Sequence, residues 1–139
     1  MISTLNQDYL RKWLSETGNF PYPVETKCIG NFKDGWLVAV VGFNNFTQNS
    51  CQIHVASKGD YWMNKSLLLA AFDYPFNKLK VKVILAAVAS TNEEALKLDR
   101  HLGFVDKAYI EDAHADGDLV ILAMRRENCR WLDIKTPLI

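Results

Sequence analysis

Residues 36–43 read Trp-Leu-Val-Ala-Val-Val-Gly-Phe, an apolar run without a single polar side chain. A short, valine-rich run of this kind favours a β-strand that is buried on both faces. The preceding residues, Lys33-Asp34-Gly35, are typical of a tight hairpin turn because Asp-Gly accepts the positive φ angles that such a turn requires. The sequence therefore predicts a hairpin whose second strand lies inside a sheet.

Apolar spacing predicts the remaining elements. Helical spacing occurs over 5–16, 61–76 and about 92–102, and strand patterns occur over 24–32 (an edge-type strand), 50–56, 80–89, 104–110 and 119–124. Ser3 or Thr4 is expected to cap the start of the first helix, and Thr91 or Asn92 is expected to cap the start of the last helix. Gly103 is expected to end that last helix. The first three strands are expected to form an antiparallel meander, so the order predicts an α+β or mixed α/β fold around one sheet.

Composition sets limits on the class of protein. The chain has 139 residues, which predicts a single domain over 1–139. Sixteen Lys and Arg balance sixteen Asp and Glu, so no strong overall field attracts nucleic acid or an anionic membrane. The longest apolar runs are too short to cross a bilayer. Phe20-Pro21-Tyr22-Pro23 is expected to form a rigid turn or a lip beside a substrate site.

Cysteine and histidine spacing argues against a metal site or a disulfide framework. Cys28, Cys51 and Cys129 are odd in number, widely spaced and without a CxxC pair, which favours buried thiols in a reducing cytoplasm. His101 and His114 have no ligand spacing with each other or with cysteine. The N-terminus lacks a basic segment followed by an apolar core, so we expect a cytoplasmic protein.

Motifs in the second half carry a resemblance to a known family. They are Phe72-Asp73-Tyr74-Pro75-Phe76 closing a helix, the strand at 83–88, and Asn92 followed eleven residues later by Gly103 in Leu102-Gly103-Phe104. The closing strand at 118–124 also fits. From about Gln52 to Trp131 the chain resembles the GNAT superfamily of acyl-CoA N-acyltransferases. It is most similar to the ribosomal-protein alanine N-acetyltransferase branch and its short phage or prophage members.

The resemblance implies a twisted, mostly antiparallel sheet of six to seven strands flanked by helices. A central strand parts from its neighbour in this family, and the pantetheine arm of acyl-CoA lies in the resulting cleft. Here the strand at 50–56 would offer backbone groups of Val55 and Ala56 to that arm. The diphosphate would lie on the next helix start, where N–H groups and the helix dipole favour an anion. The remaining implied cofactor-binding residues are Ser57, Lys58, Gly59, Asp60, Tyr61, Trp62, Asn64 and Asn92.

The chain departs from the family pattern in two places. The small residues of the diphosphate loop fall on Asp60 and Trp62, with only Gly59 nearby. The usual proton-donor positions on the last helix hold Ala95 and Asp99, and neither residue easily serves as the usual donor. A base is commonly a glutamate on the cleft strand, where this chain has Gln52 and His54.

His54 is therefore the candidate catalytic base, since imidazole titrates near neutral pH. The alternative is a structural or surface histidine. Ser57, Asp60 and Tyr61 are further candidate proton donors near the cleft.

The predicted function is acyl-CoA-dependent N-acyl transfer, with acetyl-CoA as co-substrate and no metal. The acceptor amine, a small molecule or a protein N-terminus, is left open because acceptor walls share no motif. The alternative is a catalytically degenerate protein of the same fold with a structural or accessory role, for example in a phage. Arg125, Arg126 and Arg130 form a basic cluster that could contact phosphates or be a solvated strand end. A homo-oligomer is left open, and a nucleic-acid-binding module is the least favoured class.

Overall fold

The computed structural model describes residues 1–19 and 25–133, so Phe20–Pro23 and Val24 lie outside the described residues. Those ranges contain three α-helices and seven strands, and none of these helices is long and apolar enough to span a bilayer. In chain order they are β1 (Ile2–Ser3), α1 (Gln7–Gly18), β2 (Lys27–Lys33), β3 (Trp36–Asn44), β4 (Ser50–Ser57), α2 (Lys65–Asp73), β5 (Val83–Ala89), α3 (Glu93–Leu102), β6 (Val105–His114) and β7 (Gly117–Arg125).

The strands form one seven-stranded sheet in the order β1-β2-β3-β4-β5-β7-β6. All neighbours are antiparallel except β4 and β5, which are parallel. The Asp34-Gly35 hairpin is confirmed, because both residues have positive φ angles (52° and 83°) between β2 and β3. The predicted meander of β2, β3 and β4 and the mixed, mostly antiparallel sheet are likewise confirmed.

Apolar layers cover the two faces of the central strands. Ala39, Val41 and Phe43 of β3 belong to the main core cluster, together with buried residues of α2 and α3. Val40 points the other way and packs with Leu10 and Leu14 of α1. This arrangement explains why the 36–43 run has no polar alternation: the strand is covered on both sides.

The predicted cap of the first helix, Ser3 or Thr4, was wrong by two or three residues. Asn6, with a φ of 57°, is the N-cap, and its side chain accepts the N–H of Tyr9 at 3.4 Å. Ser3, expected as a cap, instead pairs with Gly30 in the two-residue strand β1. The strand expected over 24–32 is β2, and it is not an edge strand, since β1 and β3 flank it.

The second helix begins four residues later than predicted. Asn64 caps α2 by accepting the N–H of Leu67 at 2.8 Å, and residues 58–64 form a loop. Pro75 does not stop the helix, because a π-helical turn continues over Tyr74–Lys78. The following strand starts at Val83 rather than residue 80. The Asn92 cap and the Gly103 C-cap are confirmed.

Candidate functional site

A gap opens between β4 and β5 beyond the third residue of their pairing. Ser50, Cys51 and Gln52 pair with Val83, Ile84 and Leu85, and the parallel pairing ends there. Among the described residues, the rest of β4 pairs with β3 alone, whereas the rest of β5 pairs with β7 alone. Because each strand is held by an outer neighbour, the two can diverge without losing their other ladders. The sheet therefore has an internal edge on each side of the gap.

The antiparallel ladder of β3 and β4 decides which backbone groups face the gap. The N–H of Lys58 donates to the Val38 carbonyl at 2.9 Å, which makes 58 and 38 a hydrogen-bonded pair. Such pairs alternate along an antiparallel ladder, so Ala56 and His54 bond to β3. The N–H and C=O groups of Ile53, Val55 and Ser57 then point toward β5. Of the two residues predicted to offer backbone groups, Val55 faces the gap and Ala56 faces β3.

One face of the gap is apolar and almost filled. A cavity of about 30 Å³ remains between β3 and β4, the loop before α2, and the helices α2 and α3. Trp62 and Met63 come from the loop, are half-buried and pack against the main core. The cavity is lined by Val41, Ile53, Val55, Trp62, Met63, Leu67, Leu68, Ala71, Phe72, Leu98 and Leu102. The structure thus brings Val55 and Trp62 together, both of them predicted cofactor-binding residues.

The start of α2 is a second feature beside the gap. The side chain of Asn64 satisfies the N–H of Leu67, and the N–H groups of Lys65 and Ser66 belong to the first turn, which has no intrahelical acceptors. The first turn carries no acidic residue. Gly59, five residues before the cap, has a φ of 78°, and no atom of residues 1–19 or 25–133 lies within 4 Å of the point where a Cβ would stand. This helix start can accept an anion.

Other residues of the predicted diphosphate loop point elsewhere. The Lys58 ammonium lies 5.4 Å from the ring centroid of Trp13 on α1. Tyr61 is 82% exposed, and the ammonium of Lys33 lies 5.4 Å from its ring centroid. Lys58 and Tyr61 are thus directed away from the apolar cavity, while Asp60 is exposed.

α3 contributes a cap and a half-buried carboxyl group. The side chain of Asn92 accepts the N–H of Ala95 at 3.2 Å. Asp99 lies three residues from each of the buried Leu96 and Leu102, so it shares their helical stripe. Burial raises the pKa of Asp99 to about 6. A carboxyl group with this pKa can both hold and release a proton near neutral pH.

His54 lies on the opposite face of the sheet, beneath α1. It alternates with Val55 along β4 and pairs with Gly42, where a Cβ would collide with Leu14 and Thr26. The ring nitrogen Nε2 lies 2.7 Å from Asn44 Oδ1. Burial lowers the pKa of His54, so the imidazole is neutral at pH 7. His54 and the apolar cavity thus approach the gap from opposite faces.

A hydrogen-bond chain fixes the His54 ring. Asn44 donates from Nδ2 to Thr26 Oγ1 at 3.3 Å, and both residues are buried. Arg11 of α1 donates from Nε to the Thr26 carbonyl oxygen at 2.7 Å. With Asn44 Oδ1 as acceptor, Nε2 of the ring carries the proton and Nδ1 holds the lone pair of the neutral imidazole.

Sequence reasoning missed Thr26 and Asn44, because they lie before β2 and on β3 and no local motif links them to His54. Across 1–19 and 25–133, no cluster of three or more His, Cys, Asp or Glu residues could hold a metal ion. Cys28, Cys51 and Cys129 are free and buried. Burial raises the pKa of Cys28 and of Cys51 to about 11, so these thiols are protonated and unreactive.

No protein-family model matches the chain. A sequence relative is the acetyltransferase PseH of Campylobacter jejuni subsp. jejuni serotype O:23/36 (strain 81-176), with 28% identity over 102 residues. The match covers 73% of this chain and 61% of that relative, so the chain spans about three fifths of its length.

Solved structures resemble the whole architecture. A mutant of the spermidine N-acetyltransferase SpeG from Vibrio cholerae superposes with a TM-score of 0.73, at 16% identity, over 96% of both chains. The Vibrio cholerae spermidine N-acetyltransferase in complex with CoA and spermine gives a TM-score of 0.73, at 14% identity, over 92% of this chain and 96% of that one. The sheet order, the gap between β4 and β5 and these superpositions together show that this chain has the fold of the GNAT-type acetyltransferases.

Proposed function

We propose that the protein is an acyl-CoA-dependent N-acetyltransferase that acts on an amine. The observation that carries the proposal is the gap between β4 and β5, which exposes backbone groups of Ile53 and Val55 beside the start of α2. An extended pantetheine arm has amide groups that can bond to such an edge, and a diphosphate matches the helix start. The named relative and structural neighbours, which are acetyltransferases, support the same activity.

The two faces of the sheet supply different reactants in this proposal. The cofactor arm would approach along the α2 and α3 face, where Ile53 and Val55 line the cavity. The amine would approach from the α1 face, where His54 lies. The cofactor arm and the amine would meet at the gap, because no hydrogen bonds pair β4 with β5 there in the described part of the chain.

The reaction forms a bond between the amine nitrogen and the acetyl carbonyl carbon and breaks the carbon–sulfur bond of the thioester. His54 is neutral at pH 7, since burial lowers its pKa, and it would accept the proton that the amine loses. The leaving thiolate needs a proton. Asp99 would supply it from the minor fraction of molecules in which its carboxyl group is protonated at pH 7, since burial raises its pKa to about 6. Backbone N–H groups at the gap would polarise the thioester carbonyl.

The acceptor class follows from two similarities. The sequence resemblance to ribosomal-protein alanine N-acetyltransferases makes a peptide with a free N-terminal alanine the first acceptor to test. The structural neighbour bound to CoA and spermine makes a polyamine the second. We propose a cytoplasmic location, because the three free cysteines fit a reducing compartment.

A thermal-shift titration with acetyl-CoA tests the proposal, followed by thiol release with each acceptor. A ligand at about 100 times its dissociation constant adds roughly 2.7 kcal/mol of stability, so the midpoint should rise with concentration. Release of free CoA thiol with one acceptor class and not the other would identify the substrate. No shift at millimolar acetyl-CoA would instead favour the catalytically degenerate alternative, a phage-type accessory protein for example.

A further inference from the structure

The apolar cavity beside β4 is too small for the cofactor arm that the proposed function requires. Its volume of about 30 Å³ is on the order of one water molecule. Ligand pockets for molecules of drug size measure roughly 300–1,000 Å³. The space between Val55, Leu98 and Leu102 must therefore enlarge about tenfold before a pantetheine arm can enter it.

Trp62 is the side chain whose removal would enlarge that space most. It lines the cavity with the largest apolar side chain of its loop, and it is only half-buried. The loop is anchored at both ends. The N–H of Lys58 donates to the Val38 carbonyl at 2.9 Å, and Asn64 caps α2. The span of 59–63 between these anchors can move without breaking the sheet or the helix.

Asn31 of β2 holds this loop in place. Its Nδ2 donates to the Trp62 carbonyl oxygen at 2.7 Å, and the residue is 2% exposed. Its Oδ1 is the one buried side-chain oxygen or nitrogen without a hydrogen-bond partner in the described part of the chain. An unsatisfied buried acceptor costs on the order of 1–3 kcal/mol. The closed loop thus combines one good hydrogen bond with one unmet acceptor, and an opening that admits water to Asn31 would satisfy that acceptor.

We propose that Trp62 is a gate that must leave the cavity before acyl-CoA binds, and that Asn31 is the positioning residue that keeps the gate closed. The inference rests on the proposed function, since it assumes that the cofactor arm occupies this gap. A closed gate lowers the apparent affinity by the fraction of molecules that are open. Removing the indole should therefore strengthen binding, which is the opposite of what loss of an ordinary contact residue would do.

Calorimetry with acetyl-CoA on three variants beside the wild type tests the gate. Trp62→Ala should bind at least tenfold more tightly than the wild type. Trp36→Ala makes the same chemical change at a side chain that is 77% exposed on the β2–β3 hairpin, and it should bind within about twofold of the wild type. Trp62→Leu retains part of the apolar contact and should also bind more tightly than the wild type. It replaces the alanine variant in the test if that variant does not fold.

Tryptophan fluorescence separates a gate from a passive packing residue. Acetyl-CoA should shift the emission of the wild type to longer wavelength as the indole moves into water, and Trp62→Phe should lack that change. Asn31→Ala should show the long-wavelength emission without cofactor and bind severalfold more tightly. A variant of Asn31 with altered stability but unchanged emission and affinity would overturn its positioning role.

The outcomes also distinguish the gate from the proposed function. Equal affinity of the wild type and Trp62→Ala, with no emission change in the wild type, would reject the gate and leave the acetyltransferase proposal standing. Weaker binding by Trp62→Ala would reject the gate as well, because the indole would then be a contact for the cofactor. Absence of acetyl-CoA binding in every variant would reject both.

Discussion

The two helices that flank the candidate cofactor cavity begin alike and differ in charge. An asparagine side chain caps each of them, with a hydrogen bond of 2.8 Å at Asn64 and 3.2 Å at Asn92. The first turn of α3 then carries Glu93 and Glu94, whereas that of α2 carries no acidic residue. The two helices therefore share the same type of cap, but only the first turn of α3 carries negative charge.

The difference shows which helix start has capacity for a ligand. Aligned peptide dipoles place about half a positive charge at a helix N-terminus, and carboxylates in the first turn offset it. The carboxylates of α3 offset the partial positive charge at its own N-terminus. The partial positive charge at the start of α2 has no carboxylate in the first turn to offset it, and Lys65 lies beside it. This supports the proposed diphosphate site at α2, even though Asp60 and Trp62 stand where the GNAT superfamily, which the sequence resembles, has small residues.

The largest expected effect comes from giving α2 the charge pattern of α3. Ser66→Glu places a carboxylate in the first turn, where it would repel a diphosphate within several ångströms by about 2 kcal/mol. Acetyl-CoA affinity measured by calorimetry should fall roughly 30-fold. The helix itself should become more stable, by about 0.3–1 kcal/mol, because a carboxylate suits that end of the dipole.

The matched control removes a carboxylate from the other helix. Glu94→Gln should lower the free energy of unfolding slightly and leave acetyl-CoA affinity within about twofold. Opposite signs for stability and affinity in Ser66→Glu exclude misfolding as the cause of weaker binding. If Ser66→Glu binds acetyl-CoA as well as the wild type does, the diphosphate does not lie at α2.

The main elements could be predicted because their signals are local. The 36–43 run, the Asp34-Gly35 turn and the Gly103 C-cap each carry their own sterics or burial pattern, and the structure confirms all three. The predicted helix and strand boundaries were wrong where a tertiary contact determines the boundary. Ser3 pairs with Gly30 across 27 residues, and no pattern near Ser3 indicates that partner.

The candidate site was predictable only in part for the same reason. The family resemblance implies that the strand at 50–56 is the cleft strand, but its divergence from β5 depends on two separate ladders. The contact of Asn31 with Trp62 spans 31 residues, and the chain of hydrogen bonds from His54 to Thr26 passes through Asn44. Hydrogen bonds between residues that are far apart in the sequence produce no characteristic residue spacing that a sequence pattern could reveal.

The inner faces of the two helices provide the next test. α2 buries Leu67, Ala71 and Phe72, whereas the inner stripe of α3 includes Asp99. Burial raises the pKa of Asp99 to about 6, so the folded protein binds more protons than the unfolded chain between about pH 4 and 6. The stabilisation is complete below that window and is lost as the pH rises through 6. Asp99→Asn should therefore be more stable than the wild type at pH 7.5, by about 1.5 kcal/mol after allowance for partial solvent access.

Urea denaturation at pH 4.5 and 7.5 measures this difference. Asp106 is a control of opposite sign on the neighbouring strand, because its hydrogen bond from Arg100 lowers the pKa of that carboxyl. Asp106→Asn should not become more stable at pH 7.5. If Asp99 returns the proton to the thiolate, Asp99→Asn also lowers kcat with little change in acetyl-CoA affinity. An unchanged kcat would remove Asp99 from the mechanism.

The two caps offer the smallest and most selective comparison. Asn64→Ala and Asn92→Ala should each lower the free energy of unfolding by about 1 kcal/mol, and the loss at Asn64 should be the larger because its hydrogen bond is shorter. Asn92→Ser keeps a capping oxygen and removes the amide nitrogen. We expect it to retain wild-type stability and to bind acetyl-CoA about threefold more weakly, because the amide NH2 that would donate to the cofactor arm is lost and the shorter serine hydroxyl does not extend as far. Full affinity in Asn92→Ser would show that Asn92 serves α3 alone, and the arm would then depend on the backbone of β4.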